Sequence, residues 1–395
     1  MKVYIDYNAT TPLNEAVKTA MIDDFAIYGN ASSMHASGRL ARARLEEARS
    51  NVAALVGAES REIIFTSGGS ESNNTVFQTM RRLAERGAVE EQPSVRNEII
   101  TTAIEHPCVL NSASFLQELG FTVTFLPVDK YGKIKIDALK AALNDKTLLV
   151  SVMAANNEIG TIQDIKEIAV LAKSAGAFVH TDAVQAVGKI PVDVKEWGVD
   201  YLSMSAHKIY GPKGVGALFI RGRGGRRAVP LFPLIHGGHQ EDGLRAGTYN
   251  NPGVFGFGKA AEIAKQRIAE YGKTISPLRD HLREGLVKRI PNSTVNGHPA
   301  DVIPNTLNVS FPGAEGESIL LALDLAGIEA STGSACASGS LDPSHVIMAI
   351  GAEPELAHGS IRFSLGWGIT REAVDYIIET LPPIIERLRS MSTLA

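Results

Sequence analysis

The sequence predicts an α/β protein, with a large domain on a mostly parallel seven-stranded sheet covered by helices and a smaller α+β domain toward the C-terminus. Three observations predict it. Seven short runs of apolar and β-branched residues fall between residues 62 and 221, each ending in a polar or glycine-bearing turn. Amphipathic stretches separate several of them, the order that a parallel sheet with helical crossovers requires. After about residue 250 the pattern changes to one long helical stretch followed by isolated strands.

The seven runs are EIIFTSG (62–68), NEIITTAIE (97–105), FTVTFLPV (121–128), TLLVSVM (147–153), AFVHTDA (177–183), YLSMSA (201–206) and GALFIR (216–221). ESNNTVFQTMRRLAERG and IKEIAVLAKSAG carry the helical period between strands, and LARARLEEARSNVAALVG precedes the first of them. The long helical stretch runs from about Phe255 to Ile290. NTLNVSF, SIRFSLG and a helix from about Thr370 complete an α+β unit with an antiparallel sheet. The expected division is residues 15–253 for the large domain, with residues 1–14 and 254–395 forming the small one.

Composition narrows the class. A chain of 395 residues that is 44% hydrophobic and 21% charged has the balance of a globular protein with more than one core. A formal net charge of -4 gives no electrostatic pull toward nucleic acid or an anionic membrane, so direct binding to either is not expected. The first residues, MKVYIDYNATTP, lack the apolar core of a secretory leader, and no run is long and apolar enough to span a bilayer. With two cysteines there is no disulfide framework and no metal-ligand spacing, and a cytoplasmic, reducing compartment is expected. His236 and His239 lack a third ligand, so no metal is expected.

The chemistry-bearing residues stand at the ends of strands, where ligands of parallel sheets bind. FVHTDAVQ puts Asp182 just past a strand and Gln185 three residues on; LSMSAHKIYGPKG puts Ser205, His207 and Lys208 past another. FTSGGSESNN leads a strand through Gly68, Gly69 and Ser70 into a helix whose free N–H groups suit a phosphate. Each has an ordinary reading: a helix cap, a solvated loop, a plain turn. Together, on one edge of one sheet, they suit pyridoxal 5'-phosphate, which needs a phosphate cup, a lysine and an acid beside the pyridine nitrogen. Lys208 takes the lysine role, Asp182 the acid and Gln185 a donor to the phenolic oxygen. No G-x-G-x-x-G or Walker A run competes with this reading.

Cys336 sits in ASTGSACASGS, among serine, threonine, glycine and alanine alone, which is no setting for a core thiol. Cys108, in HPCVLNSASFL, reads as a core residue.

These motifs, with YIDYNATTP, EHPCVLN, AANNEIGTIQDI, GLRAGTYN, TGSACAS and SIRFSLG, run nearly the length of the chain in a fixed order. The sequence resembles a cysteine desulfurase of the NifS/IscS type, in the class V branch of the fold-type I pyridoxal-phosphate enzymes. The resemblance implies that Lys208 carries the cofactor and that His106 stacks on its ring and shuttles protons. It also implies that Gly69, Ser70, Ser205 and His207 contact the phosphate, with Thr248 reaching in from the second subunit of a homodimer. Asn157 and Arg362 would hold the substrate, since a guanidinium pairs both oxygens of a carboxylate. Cys336 would take sulfur from L-cysteine as a persulfide, leaving L-alanine, and pass it to an acceptor such as an iron–sulfur scaffold or a tRNA-thiolation carrier. His239, Asp242 and Trp367 depart from the commonest family pattern. A class V transaminase or lyase, and a non-catalytic relative, are the rival readings; the Cys336 segment speaks against the first and Lys208 against the second.

Overall fold

A computed structural model describes residues 1–89, 96–223, 226–332 and 342–391 of the chain. Seven strands form its large sheet: β2 (Ile63–Thr66), β3 (Glu98–Thr102), β4 (Thr122–Leu126), β5 (Thr147–Ser151), β6 (Phe178–Asp182), β7 (Tyr201–Ser205) and β8 (Gly216–Ile220). Their order is β2-β8-β7-β6-β5-β3-β4. β3 to β7 pair in parallel, and β8 runs antiparallel between β2 and β7. Every residue of β2, β5, β7 and β8 is buried, which is why these strands read as unbroken apolar runs rather than as an alternation.

Successive side chains of a strand point to opposite faces. Ile63 and Phe65 therefore join one core with Val150, Val179 and Phe219, while Ile64 joins another with Leu149, Tyr201 and Leu218. The first core lies against α1 (Glu15–Asp24), α2 (Ala36–Leu55) and α6 (Ile165–Ser174). The second lies against α3 (Gly69–Val89) and α4 (Pro107–Glu118) through Val76, Phe77, Met80, Val109 and Leu116. Short helices α5 (Ile136–Ala142) and α7 (Val194–Trp197) fill two further connections.

A hairpin of β9 (Gly222–Arg223) and β10 (Arg226–Arg227) follows β8. The second sheet is antiparallel, in the order β11 (Thr294–Asn296), β12 (Thr306–Ser310), β15 (Ser360–Ser364), β14 (Ser331–Thr332). The N-terminal strand β1 (Val3–Tyr4) pairs in parallel with β13 (Ile328–Glu329), so the start of the chain belongs to this part of the fold. α9 (Gly316–Leu325) and α12 (Arg371–Met391) cover the second sheet, and α10 (His345–Ala349) and α11 (Pro354–His358) lead into β15. Among the described residues no helix is long and apolar enough to cross a membrane.

One helix serves both cores. α8 (Asn251–Arg289) gives Phe255, Phe257 and Ala261 to the core shared with α2, and Tyr271, Ile275, Leu282 and Leu286 to the core beneath the second sheet. It starts before Phe255 because Asn250 caps it, accepting from the Gly253 N–H at 3.2 Å. α2 likewise starts at Ala36, ahead of its first helical-period leucine, with His35 Nδ1 accepting from the Gly38 N–H at 3.2 Å.

Where α8 crosses α2 the backbones all but touch: a Cβ on Gly258 would lie 2.4 Å from the Cα of Ala48. Gly258→Val is therefore expected to lower unfolding stability by about 1–3 kcal/mol through overpacking. Calorimetry of the purified variant checks this, and an unchanged midpoint contradicts the close crossing.

Candidate active site

Because β3 to β7 are parallel, their carboxyl ends open on one edge of the sheet, and the predicted residues collect there. Asp182 closes β6 and is buried. Its Oδ2 accepts from Asn73 Nδ2 at 2.7 Å and its Oδ1 from the Val184 N–H at 3.0 Å, so the carboxylate is aimed by α3 and by its own turn. His106 caps α4, its Nδ1 accepting from the Cys108 N–H at 3.2 Å. Burial lowers the His106 pKa; Asp182 opposes this, and Lys208 and His345 add to it.

Ser205 ends β7, and the chain then turns through His207 to Lys208. Lys208 Nζ donates to the main-chain carbonyls of Asn8 at 2.5 Å and Ala9 at 2.7 Å. His207 lies 3.2 Å from the Thr10 hydroxyl, and burial, with Lys208 beside it, brings its pKa down to about 4. α3 begins at Gly69, with Gly69 and exposed Ser70 in its first turn. This loop passes so near the start of β8 that a Cβ on Gly216 would sit 2.6 Å from the Cα of Gly68.

Gln185 Nε2 donates to the Asn8 carbonyl at 3.0 Å, and its Oε1 accepts from Lys189. Arg362, on β15, donates through Nη1 to the Asn157 carbonyl at 3.1 Å and through Nη2 to Asp6 at 2.8 Å. Its Nε is buried and finds no partner among the described residues. Thr248 is exposed on the loop between β10 and α8 and is not drawn into this hydrogen-bonded group. That loop is fixed from below: Arg49 pairs with buried Glu241 at 2.7 and 2.8 Å, and Arg245 with Glu71 at 2.9 Å. Glu241 and Asp242 adopt left-handed backbone, φ 49° and 56°, and the Arg49 pair supplies the constraint that holds Glu241 there.

Cys336 lies outside the described residues. The described residues on either side of it are fixed at the site. Ser331 on β14 pairs with Arg362, and Ser344 donates to buried Glu158 at 2.5 Å. His345, next along, lies 3.0 Å from the Glu105 carbonyl.

The ring of Trp367, one of the departures, lies under the Arg267 guanidinium at 3.8 Å and edge-on to Tyr271, and its main-chain N–H donates to the Tyr210 hydroxyl at 2.8 Å. It is a packing residue behind the Lys208 turn. His239 is exposed on the same loop as Thr248.

Sequence reasoning passed over five residues that build the site. Asn8 is the centre of its hydrogen bonding, and Lys189 is a buried amine beside it. Asn73 orients Asp182. Glu105 is fully buried, its Oε1 accepting from Thr102 at 2.8 Å and from the Met153 N–H at 2.9 Å. Cys108, read as core, does pack against the α3–α4 core, but its sulfur also lies 2.9 Å from His106 Nδ1 and accepts from Asn73 at 3.2 Å. Burial raises its pKa to about 12, so it stays a neutral thiol. Asn8 stands in the quoted motif YIDYNATTP, Asn73 in FTSGGSESNN, Glu105 and Cys108 in EHPCVLN, and Lys189 four residues past FVHTDAVQ, but nothing within those motifs set them apart from their neighbours.

Pyridoxal phosphate fits this edge. A buried carboxylate, a lysine, the start of α3 and a buried, unpaired guanidinium N–H converge, and the chemistry of these donors matches a pyridine nitrogen, an aldehyde, a phosphate and a substrate carboxylate.

Comparison with known proteins agrees. Residues 3–377 match the family model for aminotransferase class-V. A cysteine desulfurase IscS of Dictyoglomus turgidum is 50% identical over 99% of this chain and 96% of its own length. Another from Methanosarcina thermophila is 48% identical over 99% and 94%. A solved NifS-like protein superposes with a TM-score of 0.89 at 39% identity, covering 98% of this chain and 100% of its own. The chain belongs to the class-V aminotransferase family of pyridoxal-phosphate enzymes, among its cysteine desulfurases of the IscS and NifS type.

Glu105 gives a pH signature. Burial, with Asp182 adding to it, raises its pKa to about 8, above the ordinary carboxyl value, so the folded chain keeps a proton that the unfolded chain releases. Stability from this group is full below the ordinary value and is lost as pH rises toward 8, by up to about 1.4 kcal/mol per pH unit. Glu105→Gln is expected to gain on the unsubstituted cofactor-free protein in thermal midpoint between pH 5 and 8. Parallel curves for the two proteins would count against the neutral acid.

Proposed function

We propose that the chain converts L-cysteine and the thiol of Cys336 into L-alanine and a Cys336 persulfide. The observation that carries this is the convergence of Lys208, Asp182, Gln185 and His106 on one sheet edge, with the Nε of Arg362, unpaired among the described residues, beside Asn157. When bound, pyridoxal phosphate supplies the electron sink that stabilises charge at the substrate's α-carbon.

The protein's share is binding, orientation and proton movement. The first turn of α3, with Gly69 and Ser70, and the Ser205 and His207 side chains offer donors to the phosphate. Asp182, aimed by Asn73 and the Val184 N–H, accepts from the pyridine N–H. His106, kept neutral by burial, is ready to accept a proton. Arg362 and Asn157 hold the substrate carboxylate, and the Lys208 amine moves the proton at the α-carbon.

Sulfur transfer balances. The Cys336 thiolate attacks the substrate sulfur, an S–S bond forms, and the Cβ–S bond breaks with its electron pair left on carbon, where protonation gives alanine. The anchored flanks at Ser331 and Ser344 support bringing Cys336 to Arg362. The reading includes a homodimer, supported by exposed Thr248 and by Leu234 and Ile235, 37% and 39% exposed, on the loop between β10 and α8. It includes an iron–sulfur scaffold or sulfur carrier as acceptor, supported by the IscS relatives, and a cytoplasmic location, where the thiol stays reduced between turnovers. The division at residues 15–253 is part of the same reading.

Incubation with L-cysteine and dithiothreitol is expected to give alanine and sulfide together. Lys208→Ala is expected to lose the visible cofactor band. Cys336→Ala is expected to keep it and lose sulfide release by at least about a hundredfold. Undiminished sulfide from Cys336→Ala, or pyruvate in place of alanine, would overturn the assignment.

A further inference from the structure

We propose that Lys189 is a positioning residue for the cofactor: its side-chain amine fixes the direction of the Gln185 amide and of Asn8, on whose carbonyl Lys208 and Gln185 both rest. This deepens the function proposed above and rests on it, giving a task to a buried amine that the reaction leaves unused.

Lys189 is 4% exposed. Its Nζ donates to Asn8 Oδ1 at 3.0 Å and to Gln185 Oε1, both uncharged amide oxygens. Two acceptors match the two N–H groups of a neutral amine, and a third proton would bring a buried charge onto it. Burial holds the amine well below its ordinary pKa, and the charges of Lys208 and Arg362 push the same way. A lysine in this state acts as a paired hydrogen-bond donor on a long stem.

Direction follows from this pairing. The two ends of an amide are alike in shape, so its neighbours decide which way it points. With Oε1 on Lys189, Gln185 directs Nε2 at the Asn8 carbonyl, 3.0 Å away, and keeps a second N–H. Reversed, Oε1 would face that carbonyl oxygen. The second N–H is the one that Gln185 offers to the phenolic oxygen of the cofactor, so Lys189 acts on the cofactor through Gln185.

The test reads the visible band of the pyridoxal-phosphate-loaded protein as a function of pH. An N–H donor stabilises the deprotonated phenolic oxygen, so losing it raises the pH at which the band interconverts. Gln185→Met and Lys189→Met are each expected to bind one cofactor per chain and to raise the midpoint by about one pH unit, a tenfold change in proton affinity. The double variant is expected to shift no further, because both substitutions remove one donor. A midpoint unchanged in Lys189→Met, or single shifts that sum in the double variant, overturns the proposal. Should Lys189→Met not fold, Lys189→Gln, polar but one bond too short to reach both oxygens, is expected to raise the midpoint as well, and an unchanged value overturns the proposal equally. If the unsubstituted protein forms no visible band, the cofactor reading itself fails; a normal band with an unmoved Lys189 variant refutes the positioning role alone.

Discussion

The Lys208, Gln185 and Lys189 side of this site leans on the side chain and carbonyl of Asn8. The residue is 1% exposed, and each of its polar groups is used. Its carbonyl accepts from Lys208 and Gln185, and its Oδ1 accepts from Lys189 at 3.0 Å and Asn305 at 2.9 Å. Its Nδ2 donates to the Asn157 carbonyl at 3.1 Å and Thr306 at 2.8 Å, and its N–H to the Ser364 hydroxyl at 2.9 Å. Those partners come from the turns after β5, β6 and β7 of the large sheet, from the start of β12 and from β15, so one short N-terminal segment ties the two sheets together. Neighbouring contacts continue the seam: the Thr11 N–H donates to the His207 carbonyl at 3.0 Å, and that of Asn14 to the Tyr210 carbonyl at 3.0 Å. A buried network of this kind is costly when broken, since each orphaned group carries its own desolvation penalty.

Burial without a counter-ion is the second constraint. Glu105 and Glu158 have their pKa values raised by burial, and Lys189, His106 and His180 theirs lowered. Each is pushed toward its neutral form, so the edge of the sheet carries few charges besides Asp182, Lys208 and the Arg362–Asp6 pair. The Asp182 carboxylate among them is met by polar donors, Asn73 and the Val184 N–H.

The sheet and its crossovers were legible because strands buried on both faces are apolar throughout, and because residues at parallel strand ends must share an edge. Asp182, Gln185, Ser205, His207 and Lys208 were expected at that edge on this ground and stand there, and the family resemblance added His106, Asn157 and Arg362 as candidates. What stayed hidden is long-range. Asn8 meets Asn305 and Thr306 nearly three hundred residues away, and no local pattern marks an asparagine as a hub. Lys189 looks like any surface lysine until the turn after β6 buries it. Cys108 fitted its apolar helix start, yet the same first turn of α4 that buries it also sets its sulfur against His106. The start of α2 was missed by a few residues because its cap is an unexpected residue, His35.

Hydrogen–deuterium exchange on the cofactor-free Asn8→Ala protein tests most directly whether this residue holds the site together. The account predicts that protection is lost together across residues 3–14, 305–310 and 360–366, while the strands of the large sheet keep theirs. Loss confined to the residues next to position 8 would contradict it.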